Sequence, residues 1–309
     1  MTSGGEYMAE ELRDQPEAWE RTLSLTVSEA AVPAPGERVA VIGCGSSWFA
    51  SQIYANLREG AGQGETDAFT ASEYPFDRTY DRVVAISRSG TTTEVVDALD
   101  RLAGSVPVTA IVGGAENPIA DRANEVIALD YADERSVVQT RFCTSTIALL
   151  RTWTGGGEAV GKAVSDARTV LEGISADFTE FDPAILDDAL IDAEQYSFLG
   201  MGWTWGLANE AALKLRESAQ AWTESYSSME YRHGPIAIAA PGRVTWQYGQ
   251  APAGLREQVE ATGARFVESD RDPLAELVRL HALALTKARR LGVDPDHPRS
   301  LTRSVILGA

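Results

Sequence analysis

The sequence predicts an α/β protein made of two tandem doubly wound parallel-sheet units. Three observations carry this. Short β-branched runs such as Val83-Val84-Ala85-Ile86 alternate with helical patterns, the first two of these runs empty into Gly/Ser-rich turns, and the pattern restarts near Tyr196 after a long helical stretch. Strands alternating with helices give parallel sheets with right-handed crossovers, and ligands bind beyond the carboxyl ends of their strands. A chain of 309 residues suffices for two domains. They are expected over residues 1–165 and 166–309.

In chain order, Glu6 to Ser24 reads as an amphipathic lead-in helix interrupted near Pro16, with Leu12, Trp19 and Leu23 as its apolar contacts. Pro33-Ala34-Pro35-Gly36 breaks the chain. Arg38 to Ile42 is a buried strand, Gly43-Cys44-Gly45-Ser46-Ser47 a Gly/Ser turn, and Trp48 to about Glu59 a helix. The strand Val83 to Ile86 runs into Ser87-Arg88-Ser89-Gly90, and Thr91 with Glu94 three residues on has the form of a capping box. Further strands are expected at Ala68–Ser72, Val108–Val112 and Val126–Leu129. Ser136 through about Ser175 reads as helical, relieved by Gly155-Gly156-Gly157. The second unit then gives strand Tyr196–Leu199, turn Gly200-Met201-Gly202, helix Thr204 to about Gln220, and strands Arg243–Gln247 and Arg265–Val267. A last helix from Pro273 to Leu291 precedes an extended tail.

A net charge of −18 argues against nucleic acid or an anionic membrane as partner. No apolar run is long enough to span a bilayer, the first residues do not read as a secretory signal, and two cysteines make no disulfide framework. A cytoplasmic protein is expected. Three scattered histidines with no pair at ligand spacing predict no metal site.

A strand that empties into a hydroxyl-rich turn at a helix N-terminus offers unpaired N–H groups and hydroxyl donors to an anion. The Gly-Lys-Ser/Thr ending of a nucleotide P-loop is absent, so Ser46, Ser47, Ser87, Ser89 and Thr92 suit one phosphate monoester. Arg88 between two of the serines can add a charge-assisted contact. Taken singly, each hydroxyl is equally well a cap or turn former. On the helix of the second unit, spacings of four and three put Glu210, Lys214 and Glu217 on one face. That is either a solvated ladder or a carboxylate tuned as a base by a neighbouring lysine. His233 precedes Gly-Pro and so stands at a sharp turn, while His281 and His297 read as packing and surface residues.

Five segments occur in one order: Gly43-Cys44-Gly45-Ser46-Ser47, Ile86 to Thr92, Ala212 to Glu217, Glu230-Tyr231-Arg232-His233-Gly234-Pro235, and Pro298 to Val305. In this they resemble the sugar isomerase (SIS) domain proteins, in particular the isomerase half of glucosamine-6-phosphate synthase and the related amino-sugar phosphate isomerases and deaminases. The resemblance implies two SIS-type units of flavodoxin-like, three-layer α/β/α form. It implies that Ser46, Ser47, Ser87, Arg88, Ser89 and Thr92 bind the sugar phosphate, with Gln139, Thr140 and Arg303 of the tail as further substrate-binding residues. It also implies that Glu217 moves a proton between C1 and C2 with Lys214 as its partner. His233 would assist ring opening from the neighbouring subunit of a homodimer, and no cofactor is implied.

The sequence departs from the synthase in two ways. A separate glutaminase domain with its cysteine nucleophile is not seen, and Arg303 stands where the family has an imine-forming lysine. A guanidinium stays protonated and is a poor nucleophile. The expected activity is therefore isomerisation or deamination of a hexose or hexosamine 6-phosphate through an enediol. A non-catalytic phosphosugar-binding regulator and a deglycase for glycated amino acid 6-phosphates are the alternatives.

Overall fold

The computed structural model describes residues 4–307. The chain divides into two compact units. One comprises Glu17–Glu134, Arg141–Val160 and the tail from Thr302; the other comprises the N-terminal segment through Pro16, Arg135–Thr140 and Gly161–Leu301. The chain changes unit after Pro16, Glu134, Thr140, Val160 and Leu301. Both chain ends group with the unit remote from them in sequence.

The first unit holds a five-stranded parallel sheet: β1 (Val39–Gly43), β2 (Thr66–Thr70), β3 (Arg82–Ser87), β4 (Val108–Val112) and β5 (Glu125–Ala128), in the order β2-β1-β3-β4-β5. Residues of β1, β3 and β4 are apolar on both faces because both are covered. Ala40, Ile42, Val83, Ala85, Val108, Ala110 and Val112 pack with Val95, Ala98, Leu99 and Leu102 of α4 (Thr93–Leu102). The order reverses between β1 and β3, which makes their carboxyl ends the switch point where an open sheet binds ligands.

The other helices are α1 (Glu6–Arg13), α2 (Gln15–Leu23), α3 (Ser46–Gly60), α5 (Arg141–Trp153), α6 (Gly157–Glu172), α7 (Asp188–Ile191), α8 (Trp203–Ala219), α9 (Leu255–Glu260) and α10 (Pro273–Leu291). The second unit's sheet has β6 (Gln195–Gly200), β7 (Trp222–Ser227), β8 (Arg243–Gln247) and β9 (Arg265–Val267), all parallel, in the order β7-β6-β8-β9. The topology of the first unit is repeated, one strand shorter. The correspondence extends to single glycines. A Cβ on Gly43 would lie 2.7 Å from the Ser47 backbone, and one on Gly200 would lie 2.3 Å from the Thr204 carbonyl oxygen. Gly45 and Gly202 then start α3 and α8 at a φ of +56°, a conformation that favours glycine.

Four sequence expectations are corrected. Residues 136–140 are irregular, and the helix begins only at Arg141. The Glu134 carboxylate accepts the N–H groups of Arg141 at 2.6 Å and Phe142 at 3.2 Å, which fixes that start. The capping box does not form, since α4 is capped by Thr92, whose side chain makes no cap bond, and Thr91 turns its hydroxyl elsewhere. The strand Trp222–Ser227 was not expected, because an edge strand of mostly half-buried polar residues shows no apolar run. Finally, His233 ends a single turn of 3₁₀ helix, Glu230–His233, and the sharp turn falls one residue later at Gly234, where φ is +139°.

Candidate functional site

In the first unit, the loops leaving β1 and β3 lie at the switch point. Ser46 and Ser47 open α3, both nearly buried, and their hydroxyls have no protein partner among the described residues. The Cys143 thiol donates to the Ser46 carbonyl at 3.7 Å and the Ser51 hydroxyl donates to the Ser47 carbonyl at 2.8 Å, so the turn is braced through its backbone while its hydroxyls stay unused. In the second loop the Ser87 and Thr92 hydroxyls lie 3.3 Å apart, and the Gly90 N–H donates to Ser87 Oγ at 3.2 Å. Ser89 Oγ accepts the Thr91 N–H at 3.2 Å. Ser46, Ser47, Ser87 and Thr92 therefore form a set of neutral hydroxyls at adjacent strand ends, while the Ser89 hydroxyl gives its proton to Ser304 of the tail.

Arg88 is buried and turned away from solvent. Its guanidinium lies 3.9 Å from the Glu134 carboxylate and donates to the Arg303 carbonyl at 3.2 Å. Arg303 in turn binds Asp133 with one nitrogen to both carboxylate oxygens, at 2.5 and 2.7 Å, and donates to the Glu134 carbonyl. The two arginines thus build the wall that holds the tail. Sequence reading missed Asp133 and Glu134 altogether: isolated acidic residues in a loop carry no pattern.

In the second unit, α8 brings together Lys214, Glu217 and Glu210. Lys214 Nζ donates to Glu217 Oε2 at 2.5 Å and lies 3.6 Å from Glu210 Oε1. Lys214 and Glu210 are buried, whereas the Glu217 side chain is 20% exposed. Of the two carboxylates on that lysine, Glu217 is the one that reaches solvent. It lines a cavity of about 400 Å³ with Arg216, Gln220, Ala221, Arg299, Ser300 and Leu301. Spacing alone left a solvated ladder open; a buried lysine shared by two carboxylates rules it out. Arg216 itself points outward to the carbonyl and hydroxyl of Thr223, both at 3.2 Å.

Thr140 is buried in the second unit and Gln139 half-buried, with the Gln139 amide oxygen buried and unbonded among the described residues. His233 is exposed at the end of its 3₁₀ turn and bonds to no described side chain. His297 is exposed, 3.0 Å from Asp294.

His281 on α10 is fully buried, with Nδ1 3.2 Å from the Gln15 amide. Burial, and secondarily the charge of Lys214, push its pKa down to about 3. The unfolded chain takes up that proton near the ordinary value of 6.5, so stability is lost as pH falls from about 6.5 toward about 3. His281→Gln keeps an acceptor for Gln15 and removes this dependence. Denaturant unfolding of both proteins at pH 7 and pH 5 is expected to show the wild type losing about 2 kcal/mol more than the variant over that interval. Equal losses would contradict a neutral buried imidazole.

No family model matches the chain. Over 97% of its length it is 29% identical, in a 360-residue alignment, to the glutamine–fructose-6-phosphate aminotransferase [isomerizing] of Caulobacter vibrioides, and 26% identical to that of Chlamydia trachomatis. It spans 58% of the length of each. Among solved structures, glucosamine-6-phosphate deaminase from Thermotoga maritima superposes with a TM-score of 0.78 at 25% identity, over 97% of this chain and all of that one. The C-terminal domain of the Francisella tularensis glucosamine–fructose-6-phosphate aminotransferase gives 0.79 at 20%, over 94% of this chain and 98% of that domain. Tagatose-6-phosphate ketose/aldose isomerase from Escherichia coli gives 0.78 at 17%, over 99% of this chain and 97% of that one. The last two show the shared fold.

Proposed function

We propose that this chain, which has the sugar isomerase (SIS) fold and is homologous to the isomerase domain of the isomerizing aminotransferases, is an enzyme acting on a hexose or hexosamine 6-phosphate by proton transfer through an enediol. The observation that carries the reading is Glu217: a partly exposed carboxylate, 2.5 Å from a buried lysine, at the wall of a cavity large enough for a sugar. Proton transfer between adjacent carbons needs one such base. Glu217 takes the proton from C2 of the open-chain aldose; the C–H electron pair becomes the C1–C2 double bond as the C1 carbonyl π pair moves onto O1, which takes up a proton to give the enediol. The O2 hydroxyl then gives up its proton as the C2 carbonyl forms, and the proton held by Glu217 returns at C1 to give the ketose. Lys214 orients the carboxylate through its hydrogen bond. With a 2-amino aldose the same shift gives an imine at C2, which water cleaves to ketose and ammonia.

Phosphate recognition is assigned to the hydroxyls of Ser46, Ser47, Ser87 and Thr92 and to the backbone of Arg88 and Ser89 in the same loop, and Gln139 and Thr140 are kept as further sugar contacts. Exposure of His233 suits a group that a neighbouring protomer of a homodimer would use in ring opening. What favours chemistry without an imine to the tail is Arg303, engaged by Asp133. Incubation with fructose 6-phosphate in deuterated water is expected to place deuterium at C1 or C2. A protein that binds the sugar and leaves it unlabelled is a sensor, and the enzymatic reading then fails. Ammonia release from glucosamine 6-phosphate separates deaminase from isomerase.

A further inference from the structure

The tail carries one hydroxyl whose surroundings differ from those of every neighbour. From Leu301 to Leu307 all residues are exposed except Ser304, which is half-buried against the loop after β3. Ser89 Oγ donates to Ser304 Oγ at 3.1 Å and Thr91 Oγ1 donates to it at 3.0 Å. These two donors flank Gly90, whose φ of +66° turns the loop so that both reach one oxygen; a Cβ at Gly90 would lie 2.0 Å from Asn117 Cγ. A hydroxyl oxygen has two lone pairs and one proton. With both lone pairs filled, the Ser304 proton is left to donate, and it has no acceptor among the described residues. Two incoming hydrogen bonds also polarise that O–H toward stronger donation.

The tail is held in this register from both sides. Before Ser304, Arg303 is clamped by Asp133 and the Glu134 carbonyl, while its own carbonyl accepts from Arg88. After it, the Val305 carbonyl accepts the Thr93 N–H at 3.2 Å, and the Leu307 N–H donates to Thr93 Oγ1 at 3.0 Å.

We propose that Ser304 is a phosphate-binding residue, a hydroxyl that the tail adds to the cradle, with Asp133 and Arg303 as the positioning residues that deliver it. This rests on the reading of the cradle as a phosphate site. The ligand it takes is a monoester dianion, and the Ser89 and Thr91 hydroxyls, whose protons go to Ser304, act on that anion through it. Arg303 therefore serves as an anchor where a lysine in its place would be a nucleophile.

The test measures affinity of the full chain for fructose 6-phosphate by calorimetry and for inorganic phosphate by ³¹P NMR. Ser304→Ala is expected to weaken both by about tenfold, the size of one hydrogen bond to a charged group, and Ser304→Thr to restore most of the loss. Asp133→Asn is expected to weaken both, with Asp133→Asn/Ser304→Ala no worse than Ser304→Ala alone, because the two changes remove one contact. Unchanged or tighter binding by Ser304→Ala overturns the proposal, tighter binding meaning that the tail plugs the cradle. So does a loss confined to fructose 6-phosphate, which would place Ser304 on the sugar. If the wild type binds neither ligand, the cradle reading falls as well; if it binds both and Ser304→Ala matches it, only this proposal falls.

Discussion

Glu217→Gln is expected to lower the turnover of a hexose 6-phosphate by about 10² to 10⁴-fold while leaving its affinity within about threefold, the range for removing a general base that does not hold the substrate. The amide keeps the shape of the carboxylate and an oxygen for Lys214 Nζ, now 2.5 Å away, but it cannot accept a carbon-bound proton. Lys214 retains Glu210 at 3.6 Å, so its charge stays balanced in the buried position and the fold survives. Deuterium exchange at C1 and C2 gives the rate, and calorimetry with fructose 6-phosphate gives the affinity. Exchange that continues at the wild-type rate would remove Glu217 from the chemistry; a parallel loss of affinity would make it a binding residue.

The second large effect concerns stability. Glu276 on α10 is buried and gathers four donors: Trp246 Nε1 at 3.2 Å, Ser269 Oγ at 2.6 Å, Arg271 Nη1 at 3.0 Å and Arg279 Nη1 at 3.2 Å. Arg279 is nearly buried and lies over the Trp246 ring, 4.8 Å from its centroid. Its Nε also donates to the Ile185 carbonyl at 2.6 Å. Glu276→Ala leaves that guanidinium buried beside an indole N–H without an acceptor. The expected cost is about 3–5 kcal/mol, a large part of a domain's whole stability. Glu276→Gln keeps the acceptor oxygen, loses the charge, and is expected to fall between the two. Urea unfolding measures both; a loss under about 1 kcal/mol for the alanine variant would mean that water reaches and solvates Arg279.

Residues whose role follows from period and local chemistry were legible in the sequence. β4, β8, β9 and α10 begin and end where expected, because each is an apolar run or stripe bounded by turn or proline signals. The Gly-x-Gly starts of α3 and α8 were visible as well, since only glycine fits there. Long-range hydrogen bonding overrode local pattern elsewhere. Thr91 and Glu94 have the spacing of a capping box, yet Thr91 gives its proton to Ser304, more than two hundred residues on. Ser136 to Thr140 continue a helical pattern, but Glu11 accepts from the Ser136 hydroxyl and N–H and holds that segment irregular. Arg88 reads as a phosphate ligand between two serines, whereas its guanidinium is engaged by Glu134 and the tail.

The sequence by itself determined two parallel α/β units, hydroxyl-rich turns at two strand ends, and two carboxylates spaced to share a lysine, because hydrophobic period, glycine sterics and side-chain inventory are local properties. Only the tertiary structure decided which of two carboxylates on Lys214 faces solvent, what Arg303 holds, and that a serine of the tail stands in the hydroxyl loop. Those depend on groups distant in sequence meeting at hydrogen-bond distance, and no local pattern encodes such a meeting.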